Sequence, residues 1–454
     1  MNDKQKSGPA RSKPSAPSIP DAEPRIRDAR DFALLVIRDV VWKRLPLDER
    51  LEQLMREFDY RDLSPSDRGL VRAISTVATR WMGLIRKTIR TRLREGIPTN
   101  AGQFEAILIA ATAQILFLDV PDYAAVDTAI TKLRADPKGI RYVSLANAVL
   151  RGIARDKAAI VEECNPLTDN TPEWLATRWV ATYGEETALA IARAHCFEPS
   201  LDISVKSDPV IWAEKLGATV LPNGSLRLTG RGAVPDLPGF ADGEWWVQDV
   251  VAAIPAQLLD VSPGETVADI CAAPGGKTAQ LAVAGGVVTA VDRSAPRMKR
   301  LEENAARLKL DIKAVVADWL TFEGGPFKKI LLDAPCSSTG TLRRHPDVAW
   351  NKTLSDIGSL CALQSKLLDK AWLLLEPGGT LVYATCSLER EEGEAQIDNF
   401  LKRTPDAAIS RIGAIEVGGI NEFITSIGFL RALPSHMQEL GGCDGFFAAR
   451  LIKR

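Results

Sequence analysis

From about residue 236 to the end of the chain, short runs rich in β-branched residues (VADI, VVTAV, IKAVVA, KILLD and TLVYAT) alternate with amphipathic helical stretches such as APRMKRLEENAARL and LCALQSKLLDKAWLLL. Nearly continuous apolar strands are those covered on both faces, and this alternation predicts a doubly wound α/β sheet of the Rossmann-like class. Ligands of such sheets sit beyond the carboxyl ends of the strands. Residues that immediately follow a strand are therefore the candidates for chemistry. The segment EPGGT is expected to form the turn between the long helix and the strand after it.

A chain of 454 residues exceeds what one hydrophobic core supports. Residues 1–24, rich in Pro, Ser and Lys, read as a disordered tail. Residues 25–160 carry apolar residues at three- and four-residue spacing, broken at Pro46, Pro65, Pro98, Pro121 and Pro137, and predict an all-helical domain. Ser64 or Ser66, Thr99 or Asn100, and Asp122 are the expected helix caps. Residues 161–235 mix short helical and strand-like pieces, too little to bury much apolar surface alone, and predict a small α+β adaptor. Residues 236–454 form the α/β domain.

Lys plus Arg number 57 against 58 Asp plus Glu, so a nucleic-acid surface has to come from local clustering. Such clusters exist at Arg80, Arg86, Lys87, Arg90, Arg92 and Arg94, and at Arg134, Lys138, Arg141, Arg151 and Arg155. They suit either a solvated helix face or a phosphate-binding surface. Seven cysteines without a CxxC pair, with only three histidines, argue against a zinc site or disulfide framework and for a reducing, cytoplasmic setting. His195 has no partner at ligand spacing, which favours a structural role. No run of about 18 apolar residues is present, so no membrane span is expected.

In ADICAAPGGKTAQL a strand runs through Cys271, Ala272, Ala273, Pro274, Gly275, Gly276 and Lys277 into a helix, and the glycines let backbone approach a ligand closely. The loop is neither GxGxxG nor a complete P-loop, whose leading glycine is replaced by Cys271. Asp292 ends the second strand, where a carboxylate can accept both hydroxyls of a ribose. Asp318, after the third, is placed to receive an adenine amino group or to cap a turn. Acids at successive strand ends behind one glycine loop suit an adenosine, and the missing phosphate cradle favours S-adenosylmethionine over a dinucleotide. Cys336 in ILLDAPCSSTG and Cys386 in LVYATCSLERE follow two further strands, so both thiols are expected in the same crevice. That pairing suggests chemistry on an electrophilic carbon. The competing expectation for each is the buried apolar thiol, the commonest fate of free cysteine.

CAAPGGKT, LLDAPCSSTG with RRHPD after it, LVYATCS and DGFFAARL resemble the successive motifs of the RsmB/Nop/Sun family of RNA 5-methylcytosine methyltransferases. The order of the amino-terminal helices and the segment LANAVLRGI resemble the NusB-like RNA-binding domain, so the likeness covers most of residues 25–454. The resemblance implies S-adenosylmethionine as cofactor, Cys386 as the attacker of cytosine carbon 6, and Cys336 as a helper of product release. Asp333 would hydrogen-bond the ring nitrogen if protonated, accept from the amino group if ionised, or contact the cofactor. Lys277 would lower a thiol pKa or orient the base, a surface lysine being the plain alternative. The implied partner is RNA, 16S rRNA or an early small-subunit particle, with the target unstacked or flipped and with no membrane or metal involved. Arg343 and Arg344 are phosphate candidates, His345 is expected to shape an RNA-facing turn, and Trp350 to pack in the core. One departure stands out: family members usually carry Arg-x-Asn in the adaptor, where this chain has Asp202 and Ser204. The rival function is a noncatalytic RNA-binding assembly factor. Loss of either motif thiol or of Asp292 would favour it, and all three are present. A DNA cytosine methyltransferase is weakened by the helical amino-terminal domain and by the TCS motif.

Overall fold

The computed structural model describes residues 28–230 and 232–454, so the tail expected at residues 1–24 lies outside the described residues. The chain divides into two units, Met1–Glu163 and Cys164–Arg454. Helices Ala29–Lys43, Pro65–Arg80, Met82–Arg90, Phe104–Phe117, Asp122–Ala135 and Val143–Glu162 build the first. Phe104–Phe117 (FEAILIAATAQILF) is apolar on every face and accordingly buried along most of its length, whereas Val143–Glu162 beside it buries one stripe. Asp28 and Ser64 cap helices Ala29–Lys43 and Pro65–Arg80 through side-chain bonds to backbone N–H groups. Thr99 and Asn100 do not cap, because the following helix starts only at Phe104, and Asp122 is the first helical residue behind Pro121. The run from residue 65 to residue 90 breaks at Trp81, whose ring stacks on Phe117 at 4.4 Å.

In the arginine clusters, Arg80 is buried, Arg86 pairs with Glu105 at 3.2 Å and Arg92 with Asp156 at 2.9 Å. Arg90, Arg94, Arg134, Arg141, Arg151 and Arg155 are exposed.

The second unit opens with helices Glu173–Tyr183 and Glu185–His195, then strands β1 (Leu201–Val205), β2 (Ala218–Val220), β3 (Leu226–Leu228) and β4 (Trp245–Val247). These make an antiparallel sheet in the order β2-β3-β1-β4. Its fourth strand lies past residue 235, so the adaptor sheet extends beyond the boundary expected from the sequence. β4 was missed because WWV is too short to show alternation, and its pairing with β1 is a long-range choice.

The larger sheet contains β5 (Thr266–Ile270), β6 (Val287–Asp292), β7 (Lys313–Val316), β8 (Phe327–Asp333), β9 (Leu375–Thr385), β10 (Ala407–Ile409), β11 (Leu430–Ala432) and β12 (Phe446–Lys453). Its order is β10-β12-β9-β8-β5-β6-β7, with β11 beside β12. β5 to β9 pair in parallel, and β12 enters antiparallel against β9. Two apolar layers cover its faces, one holding Val267, Leu331 and Val382, the other Ile270, Ile330, Leu332 and Tyr383. EPGG is not a separate turn: it lies inside β9 as a bulge, where the register jumps from Phe327 opposite Leu375 to Lys329 opposite Thr380. No helix among the described residues is long and apolar enough to cross a membrane.

Candidate active site

Strand order decides what meets. β5, β8 and β9 are neighbours, so the loops after Ile270, Asp333 and Thr385 open at one edge of the sheet. Across that edge the sulfurs of Cys336 and Cys386 lie 3.4 Å apart, both half-buried. Cys386 donates its S–H to the Ser338 hydroxyl oxygen at 3.5 Å, and the N–H of Gly340 donates to the Cys386 carbonyl at 3.0 Å. Gly340 itself must be glycine, because a Cβ there would meet the Gly445 carbonyl oxygen at 2.1 Å.

The two thiols are electrically unlike. Cys386 is held below the ordinary thiol value, first by the hydrogen bond from Cys336, with Ser338 and the Lys277 ammonium adding to it against burial and Asp333. Cys336 is pushed well up by that same hydrogen bond, by burial, and by the charges of Cys386 and Glu392. Of the two thiols, Cys386 is therefore the more readily ionised.

Lys277, the second residue of helix Gly276–Val283, reaches over the Phe446 ring and donates to Asp333 at 2.8 Å. Burial opposes its charge, yet Asp333, with Cys386 and Asp269 adding to it, raises the ammonium above its usual value. The lysine is 11% exposed at its side chain and so is not a surface group. Behind it Asp269 is fully buried, accepts from Thr278 at 2.6 Å, and is pushed up to about 7 by desolvation. A cavity of about 690 Å³ opens in front of Lys277, Asp333 and Asp269, with Gln248, His345 and Asp444 on its other walls.

The glycine loop takes a cradle shape. Gly275 has φ +101° and a Cβ there would approach Leu301 Cγ to 2.8 Å, while Cys271 also sits in the left-handed region at +60°. Cys271 is no nucleophile: burial, with Asp292, Asp333 and Asp269 nearby, pushes its thiol up to about 12. Asp292, the last residue of β6, accepts from the N–H groups of Ala273 at 3.2 Å and Ser294 at 2.8 Å, so its carboxylate is fixed against the loop. Carboxylate oxygens accept more than one hydrogen bond each, which leaves acceptor capacity for a ribose. Asp318 is exposed and accepts from Leu320 N–H at 2.9 Å, capping the turn Trp319–Thr321. Two consecutive glycines in the loop and a fixed acid at the next strand end fit S-adenosylmethionine. Among the described residues, no group of His, Cys, Asp and Glu is arranged to hold a metal ion.

The two expected phosphate ligands are engaged within the protein, Arg343 buried and Arg344 half-buried on the cavity wall. Arg344 binds Asp249 at 2.8 Å and Asp444 at 2.9 Å, and Arg343 is buried and donates to the Gly441 carbonyl at 2.7 Å. Asp202 is fully buried and takes Arg227 in a two-pronged pair, 2.7 Å on each oxygen, so the departure in the adaptor motif serves an internal ion pair. Ser204 bonds Gln248 at 2.8 Å. Trp350 packs half-buried beside Leu175 and Leu342. Sequence reasoning missed Glu392, whose buried carboxylate lies behind both thiol loops; in EREEGE nothing local marks it among four acids.

Comparison with known proteins gives one consistent result. The profile of the 16S rRNA methyltransferase RsmB/F family matches residues 256–452, and that of the NusB family matches residues 27–155. The ribosomal RNA small subunit methyltransferase B of Xanthomonas campestris pv. campestris is 35% identical, over 86% of this chain and 90% of that protein. The protein of the same name from Cronobacter sakazakii is 33% identical, over 94% of this chain and 98% of its own length. A solved methyltransferase homolog from Pyrococcus horikoshii superposes with a TM-score of 0.51 at 30% identity, covering 62% of this chain and 95% of that one.

Proposed function

This chain belongs to the 16S rRNA methyltransferase RsmB/F family, and we propose that it uses S-adenosylmethionine to methylate carbon 5 of a cytosine in 16S rRNA or an early small-subunit particle. The observation that carries the proposal is the pair of sulfurs 3.4 Å apart beside the Lys277–Asp333 ion pair. Carbon 5 of cytosine is a poor nucleophile until something adds at carbon 6. Cys386, the more readily ionised thiol, attacks carbon 6 as its thiolate, and the ring electrons shift so that carbon 5 becomes nucleophilic. Asp333 holds the ring by accepting from its amino group, and the Lys277 ammonium offsets the negative charge that grows on the ring. When bound, S-adenosylmethionine supplies an electrophilic methyl group, which carbon 5 accepts. A proton then leaves carbon 5, the electrons of the carbon–sulfur bond return to Cys386, and the ring is restored. Cys336, kept as a neutral thiol, gives its S–H proton to the departing sulfur and takes up the proton released from carbon 5, so it ends neutral again.

The loop 271–277 and Asp292 would hold the cofactor, Gly275 and Gly276 by backbone approach and Asp292 at the ribose; Asp318, a turn cap, would receive the adenine amino group. A base must leave its stack to reach sulfurs lying beyond a strand end, so the target cytosine is unpaired or flipped. The domains assigned are a NusB-like unit over residues 25–160, an adaptor over 161–235 with a strand contributed from 245–247, and the methyltransferase from residue 236 onward. The exposed arginines at positions 90, 94, 134, 141, 151 and 155 would meet phosphates. A noncatalytic assembly factor would have no use for a depressed thiol beside a raised one. Incubation with labelled S-adenosylmethionine and 16S rRNA, followed by nucleoside mass spectrometry, is expected to yield 5-methylcytidine. Label on another base or another atom of cytosine overturns the proposal.

A further inference from the structure

Glu392 is fully buried, yet no part of the chemistry above uses it. It accepts from the Ser337 N–H at 2.9 and 3.2 Å, from the Ser337 hydroxyl at 2.5 Å, from the Ser387 hydroxyl at 2.6 Å and from Gln364 Nε2 at 3.0 Å. Its own carbonyl accepts from the hydroxyls of Tyr383 at 2.8 Å and Thr385 at 3.3 Å, both on β9. Ser337 directly follows Cys336, and Ser387 directly follows Cys386. One carboxylate is thus tied to the residue next to each thiol, although the thiols belong to loops from different strands. A buried charge is costly unless fully hydrogen-bonded, and all its partners are donors, which matches a group that only accepts. Filling space would need no charge here. Bonds to a carboxylate are shorter and stiffer than neutral ones, which is what holding two loops in fixed register requires.

We propose that Glu392 is a positioning residue that sets the separation of the Cys336 and Cys386 sulfurs by clamping Ser337 and Ser387 to one buried point. The inference rests on the two-thiol reaction proposed above, but its geometric part can be read without that reaction. Its charge also adds to the influences that keep Cys336 protonated, after the hydrogen bond to Cys386 and burial.

The test treats the full-length protein, without substrates, with diamide. The two thiols give up two protons and two electrons to form a disulfide, diamide is reduced to its hydrazine, and peptide mapping quantifies the Cys336–Cys386 link. In parallel, kcat and the KM for RNA are measured. Glu392→Ala is expected to slow both cross-linking and kcat by about tenfold or more with KM changed less than about twofold, since misplacement of reacting groups by an ångström costs rate rather than binding. Glu392→Gln keeps an acceptor for Ser337 N–H and Gln364, and the serine hydroxyls can turn to accept from its amide, so it is expected to recover most of both rates. Where Glu392→Ala does not fold, the Ser337→Ala, Ser387→Ala pair carries the test with the same expected slowing. Unchanged cross-linking in a folded variant overturns the proposal, as does a change in KM alone or a Gln variant no better than Ala. Slowed cross-linking in a protein whose wild type makes no 5-methylcytidine would sink the reaction and leave the clamp standing.

Discussion

Replacing Gly275 by alanine probes the cofactor cradle at its most constrained residue. At φ +101° an alanine carries a left-handed penalty of about 1–2 kcal/mol. Its Cβ would also stand 2.8 Å from Leu301 Cγ, and Leu301, 1% exposed among Ala272, Ala290 and Met298, has nowhere to retreat. Overpacking of this kind adds about 1–3 kcal/mol, for a total of about 2–5 kcal/mol. If the loop holds its shape, the strain appears as stability, a fall in Tm on the order of 10 °C for a unit of this size. If the loop backs away instead, the strain appears as lost cofactor affinity, at least about 25-fold. Differential scanning calorimetry and titration calorimetry with S-adenosylmethionine read the two together. A variant that melts like wild type and binds the cofactor within about twofold of it would refute the cradle.

Alkylation of Cys386 by iodoacetamide should begin at lower pH than for an ordinary thiol, because its lowered pKa populates the thiolate earlier as pH rises. Cys336→Ala, which removes the largest cause, should move that onset upward, and Lys277→Met should move it upward by less; a downward shift in either contradicts the charge assignment. Asp202→Ala leaves Arg227 buried without its partner and should cost about 3–5 kcal/mol in urea denaturation, whereas a surface pair would cost under about 1 kcal/mol.

Much of the site is legible in the sequence because it is local. A strand followed by Cys336 or Cys386, and the two glycines that end DICAAPGG, carry their geometry within a few residues. What the sequence hides is set by pairing across the fold. The sulfurs meet because β8 and β9 are neighbours, an adjacency no single segment encodes. Arg343 and Arg344 look like phosphate ligands from their charge, but Arg344 is taken up by Asp249 and Asp444 and Arg343 by the Gly441 carbonyl, partners that arrive from distant segments. Asp202, read as the loss of a family motif, is instead half of an ion pair whose other half lies on β3. Glu392 sits in a run of acids and is singled out only by the serines that converge on it.

Denaturing gel electrophoresis of Cys336→Ala and Cys386→Ala, each incubated with S-adenosylmethionine and 16S rRNA, tests most directly whether Cys386 bonds to the base. Cys336→Ala should accumulate a protein–RNA adduct that survives denaturation, because addition proceeds and release stalls, while Cys386→Ala should show neither adduct nor methyl transfer. Adduct in the Cys386 variant, or methylation that persists in it, would contradict that bond.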